Sequence, residues 1–133
     1  MSGKVKAFAH FGVKLTNEQW SWSGQAPDGR IVLTVWKDEM NYKTNPPSCS
    51  SFGHPNLPDL IGRPGNKERT RHLQYARDHR GGLFNVVISK AKDTAANVRE
   101  TEEAYATKLI MRLKDFNEQT GEFSAEVVGK DGD

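Results

Sequence analysis

The chain has little of several things, and each scarcity narrows what it can do. Its 133 residues include one cysteine, Cys49, so an internal disulfide and a cysteine-based structural zinc site are excluded. A reducing cytoplasm is the expected compartment. No stretch reaches the roughly eighteen apolar residues of a membrane span, and Met1-Ser2-Gly3-Lys4 opens no signal peptide. Apolar residues make up 35% and mean hydropathy is −0.73. At this length that predicts one globular domain over 1–128, a modest core, a well-solvated surface and a frayed tail at 129–133.

Catalytic motifs are scarce too. There is no GxSxG, Walker loop, HExxH or GxGxxG. A restriction-type nuclease needs carboxylates to hold Mg²⁺ beside the scissile phosphate. Pro27-Asp28 followed by Trp36-Lys37 mimics that pattern, but Val35 stands where the second acid must be, and Asp28 reads as a turn residue. Cys49 and His54 are the residue types of a nucleophile and base. With no helix N-terminus to lower its pKa, the thiol is expected to be inert. No catalytic residue, metal ligand or cofactor is assigned, and the protein is expected not to be an enzyme.

What is present centres on one stretch, Gln19 to Asp38, which holds all three tryptophans. Two runs rich in β-branched and aromatic residues flank Ala26-Pro27-Asp28-Gly29-Arg30. Pro presets the first turn position and Gly accepts positive φ, so a hairpin is predicted. Pairing Ala26 with Arg30 sets Trp22 opposite Thr34 and Trp20 opposite Trp36, with Trp20 and Trp22 on one face. Such a cluster is either a core or a platform for a flat ligand. Stacking a base is worth ~1–3 kcal/mol per aromatic, and burying a tryptophan contributes a comparable amount. Energetics does not separate the two; a ligand platform requires that at least one tryptophan keep a face open.

Along the chain, Lys4–Val13 alternates and predicts a first strand. Ile31–Trp36 is apolar on both faces, as a central strand is. From Glu39 to Pro64 periodicity disappears, and five of the six prolines lie there; a long functional or covering loop is expected, anchored by Tyr42, Phe52, Leu57, Leu60 and Ile61. Residues 66–79 predict one main helix, with Asn66 as N-cap and Gly81-Gly82 as stop. Its apolar face, Thr70, Leu73 and Ala76, is thin, so the helix is expected to be peripheral, and the stripe Glu68, His72, Tyr75, His79 to be solvated. Leu83–Ala91 predicts a strand, 92–107 a loop or short helix, and Lys108–Val128 a second hairpin turning at Asn117–Gly121. The expected fold is α+β, mainly β: a curled, mostly antiparallel sheet or barrel of five or six strands with one main helix.

Charge is uneven although the net value is only +2. Arg63, Lys67, Arg69, Arg71, Arg77 and Arg80 crowd residues 62–80 against Glu68 and Asp78, whereas Asp93, Glu100, Glu102 and Glu103 follow against Arg99. Aromatic side chains stack on bases while Arg and Lys neutralise phosphates. This points to Trp20, Trp22, Trp36, Tyr42 and Phe52 as base-binding residues and the six cations as phosphate-binding ones. The expected partner is nucleic acid, DNA ahead of RNA, and no membrane.

Short strands around a helix, with Trp20-Ser21-Trp22, Val32-Leu33-Thr34-Val35-Trp36 and the basic helix, resemble the PUA-like barrels (EVE, YTH, ASCH and SRA domains) over residues 15–128. That resemblance implies a flipped or unpaired base, often modified, held in an aromatic pocket. It also implies Trp20, Trp22 and Trp36 as walls, the basic helix as backbone clamp, and occurrence beside restriction systems. Two alternatives remain: an accessory factor binding a protein, for instance of a restriction or defence system, and a hydrolase or nuclease using loop residues such as His54 and Asp59.

Overall fold

The Pro27-Asp28-Gly29 turn closes as its residue types dictate. Gly29 takes φ 93° and donates its N–H to the Ala26 carbonyl, and the Asp28 carboxylate accepts from Arg30 N and Nε. A computed structural model describes residues 3–53, 57–95 and 100–130. The turn joins β1 (Ser23–Gln25) to β2 (Ile31–Trp36), in the register that sets Ser23 against Leu33. A 3-10 turn at Lys37–Glu39 leads to β3 (Met40–Asn41) and β4 (Ser48–Ser50). Then come β5 (Leu83–Ala91), β6 (Thr101–Phe116) and β7 (Phe123–Lys130). The helices are α1 (Gly3–Ala9), α2 (Leu57–Ile61) and α3 (Pro64–His79).

The strands form one seven-stranded sheet in the order β1-β2-β5-β6-β7-β4-β3. Among the described residues only β2 and β5 pair in parallel; the other neighbours are antiparallel. The architecture is α+β and mainly β, with a mixed sheet that is open rather than closed into a barrel. Its strand count exceeds the five or six expected.

Two layers cover the sheet. Ile31, Leu33 and Val35 of β2 join Phe84, Val86 and Ile88 of β5 beneath Leu73 and Ala76 of α3. On the opposite face Val32 and Val87 pack with Ala7 and Phe8 of α1 and with Phe11, Val13 and Leu15 after it. Both faces of β2 are therefore buried, as its continuous apolar run requires.

Several expectations are corrected. The first strand is a helix: Ala7, Phe8 and Phe11 follow helical rather than alternating spacing, so one face docks on the sheet. The segment 39–64 is not structureless, because β3, β4 and α2 lie in it and β4 extends the sheet along β7. Residues 101–107 are strand, since β6 begins at Thr101 to match the length of β5. Helix α3 starts at Pro64, whose missing N–H is tolerated in the first turn, and Arg63 rather than Asn66 is the N-cap. Nor is α3 peripheral: Leu73 and Ala76 have no solvent exposure, and Gly65, Asn66 and Glu68 are buried as well.

Candidate functional site

Trp22 precedes β1 by one residue yet keeps the hairpin register. Its carbonyl accepts from both the backbone N–H and the hydroxyl of Thr34, each at 2.9 Å. Trp22, Thr34 and Trp36 are brought together at this end of the hairpin. All three line a pocket of about 120 Å³, with Val35, Glu39, Cys49, Ser50, Ser51, Arg63, Arg69 and Phe123. They also line a wider, shallower hollow bordered by Lys4, Glu18, Glu100, Glu102 and Glu103. The two hollows meet at the tryptophans: Arg63 and Arg69 stand in the first with the Glu39 carboxylate, and Glu18, Glu100, Glu102 and Glu103 border the second with Lys4.

Helix α3 supplies the arginines at the N-terminal end. The approach is close because Gly65 carries no side chain: a Cβ there would lie 2.6 Å from the Trp20 carbonyl oxygen and 2.6 Å from the Trp22 ring. One turn on, the Arg69 guanidinium carbon sits 5.2 Å from the Trp22 ring centre and 5.1 Å from that of Phe123. Arg69 Nη2 donates to Asn66 Oδ1 at 3.2 Å, and Asn66 Nδ2 donates to the Thr120 carbonyl at 2.9 Å. The turn before β7 is thereby tied to the helix. Arg69 Nε has neither solvent contact nor a hydrogen-bond partner. Burial lowers the Arg69 pKa to about 10, against the pull of Glu39, so the group is still a cation at neutral pH. Ser51 fixes Phe123 on the other wall: its hydroxyl accepts from Phe123 N at 2.9 Å and its own N–H donates to the Phe123 carbonyl at 2.8 Å.

Cys49 is buried on the pocket floor, where burial and the nearby Glu39 carboxylate push its thiol up to about 12. That makes it a poor nucleophile. Ser23 Oγ lies 2.6 Å from His72 Nδ1, with Glu68 one helical turn before the histidine. This has the residue types of a hydrolytic triad, but Ser23 is 1% exposed and Glu68 4%, so no substrate carbonyl reaches the hydroxyl. The predicted solvated stripe is therefore corrected at Glu68 and His72; Glu68 is buried with Oε1 unpartnered. Among the described residues no His, Cys, Asp and Glu cluster could hold a metal ion, and no helix is long and apolar enough to cross a membrane.

Of the aromatic residues expected to bind a base, Trp22 and Trp36 come together in the pocket. Trp20 does not: β1 begins only at Ser23, so Trp20 falls in the preceding turn instead of pairing with Trp36. Tyr42 and Phe52 lie outside the pocket lining and are 62% and 43% exposed. Of the six cations, Arg63 and Arg69 line the pocket. Lys67 and Arg71 are exposed on α3. Arg77 is engaged by Asp78 at 2.9 Å and Glu118 at 2.7 Å, and Arg80 lies near the Gly29 turn. Sequence reasoning missed Phe123, Ser51 and Glu39, which tertiary pairing brings in from distant segments. His54 lies outside the described residues. The chain matches no family model, no curated protein and no solved structure.

Proposed function

We infer that this chain is a non-catalytic nucleic-acid-binding domain that reads a base, plain or modified, between Trp22 and Trp36. The PUA-like resemblance in the sequence implies the same use. The observation that carries the reading is the joining of two tryptophans and two arginines in one partly open pocket. Flat rings offer stacking area, and the arginines offer charge and directed donors. Phosphates enter from the side of Arg63, Lys67 and Arg71, because Glu18 and Glu103 repel them from the other end. DNA is the polymer proposed ahead of RNA.

Tryptophan fluorescence during titration with short single- and double-stranded oligonucleotides, unmodified and methylated, at two salt concentrations tests the reading. Salt-sensitive quenching is expected, since neutralising phosphates releases counterions. Absence of quenching with every oligonucleotide at low salt would overturn it. A second reading, an accessory factor binding a protein partner such as a component of a restriction system, draws on the exposure of Tyr42 and Phe52 beside the β3–β4 segment. A complex that survives nuclease treatment and high salt would favour it.

A further inference from the structure

The wider hollow bordered by glutamates has a lining that base reading leaves unused. We propose that it binds an organic cation with N–H donors, a primary alkylammonium group, carried by a free polyamine or by a lysine side chain. The inference goes beyond the base-reading function above and does not depend on it.

The floor comes first. Trp36, Ser89 and Ala104 stand in register across β2, β5 and β6, and all three line the hollow. Ser89 is 3% exposed, and its hydroxyl has no hydrogen-bond partner among the described residues. A buried polar group left without a partner carries its full desolvation cost. A ligand that enters the hollow and donates to Ser89 Oγ removes that cost.

Charge then sets the sign of the ligand. Glu18, Glu100, Glu102 and Glu103 line the hollow against one cation, Lys4. Lys4 is already engaged, its Nζ donating to the Ser21 carbonyl at 3.0 Å and the Gln19 carbonyl at 3.4 Å. Glu102 and Glu100 are paired with Lys90 and Lys92, whereas Glu18 and Glu103 have no ion pair among the described residues.

Two observations narrow the cation. Among the described residues no group of His, Cys, Asp and Glu side chains is gathered closely enough to hold a metal ion, so the carboxylates form a diffuse negative rim. Trp22 and Trp36 are both half-buried, and indole surface attracts an alkylammonium and covers its carbon stem. A quaternary ammonium would satisfy the rings and the rim but has no proton to donate to Ser89.

The test titrates the protein at neutral pH with butylamine, tetramethylammonium and butanol, read by backbone-amide and indole NMR shifts. Butylammonium is expected to move the Ser89 and Ala104 amides and the Trp22 and Trp36 indoles, and to bind more tightly than the other two. Ser89→Ala should weaken butylammonium about three- to tenfold, the worth of one hydrogen bond, and leave tetramethylammonium unchanged. Glu18→Gln combined with Glu103→Gln should weaken both cations and reduce their salt dependence. Butanol binding as tightly as butylammonium overturns the proposal. So does a Ser89→Ala variant with undiminished butylammonium affinity, or an absence of shifts at Ser89 and Ala104. Cadaverine and an acetylated Gly-Lys-Gly amide then separate the sources. Tighter binding of the diamine assigns the site to a free amine, tighter binding of the peptide assigns it to a lysine side chain, and failure of both overturns it.

Discussion

Gly65 sets the distance between helix and tryptophan, and through it the shape of the pocket. A methyl group there meets a backbone carbonyl and an indole ring, each at 2.6 Å, and neither is the loose end of a flexible chain. Gly65→Ala is therefore expected to cost ~1–3 kcal/mol, the range for overpacking, measured by urea unfolding. It should also weaken ligand-induced quenching, because Trp22 must shift. His72 gives a second handle. Burial holds its pKa below the ordinary value, Arg71 acts in the same direction, and Glu68 opposes. The unfolded chain then takes up a proton more readily, so stability is full above about pH 6.5 and falls as pH drops toward the lowered folded value. Between about pH 7 and pH 5 the wild type should lose unfolding free energy and His72→Gln should lose less; parallel losses would show that His72 is not the source. At this scale the sequence was legible where a turn or register decides: the residues of the Asp28-Gly29 turn lead directly to the Trp22–Thr34 pairing. The burial of Glu68 and the half-burial of His72 and Arg69 were not legible, because distant segments supply the neighbours, Ser23 beside His72 and Trp22 and Phe123 beside Arg69, which no local pattern encodes.

At the scale of elements, α3 is the connection that lets β2 and β5 lie parallel, since a parallel pair needs a long crossover. Its apolar face is thin but wholly buried at Leu73 and Ala76. Leu73→Ala should accordingly cost about 2–5 kcal/mol, the range for emptying a well-packed core site, and not the few tenths expected of a surface position; thermal or urea unfolding decides. The strands β2 and β5 and the hairpin after them were readable from alternation and continuous apolar runs. Three elements, α1, β3 and β4, escaped for physical reasons. In Lys4–Val13 the small residues Ala7 and Ala9 fit both periods, and only docking of Phe8 and Phe11 on the sheet selects a helix. The pairings of β3 and β4 span two or three residues each, too few to show a period, and β4 is held by β7, more than seventy residues away in the chain.

Over the whole molecule, what matters is where the positive charge is still available. Arg77 is committed at its end of α3: its guanidinium binds Asp78 and Glu118 and lies over the Phe116 ring. Those contacts raise its pKa and lower that of Asp78. Arg69 and Arg77 are eight residues apart, about 12 Å along the helix axis at 1.5 Å per residue, so Arg77 stands away from the pocket. Arg63 is paired with Asp59 but lines the pocket mouth, and an exposed pair of this kind is worth only about 0–1 kcal/mol, so a phosphate can exchange for the carboxylate. At the opposite rim Glu100 and Glu102 are held by Lys92 and Lys90, which leaves that side without net attraction for a polyanion. Nucleic acid should therefore cross the first turns of α3 and not its end. Arg63→Ala is expected to weaken oligonucleotide binding uniformly across sequences and to lower the salt slope by about 1. Arg77→Ala should leave both affinity and slope unchanged. If Arg77→Ala reduces the slope as much as Arg63→Ala does, the polymer runs the full length of the helix, and the Trp22–Trp36 pocket is no longer its point of entry.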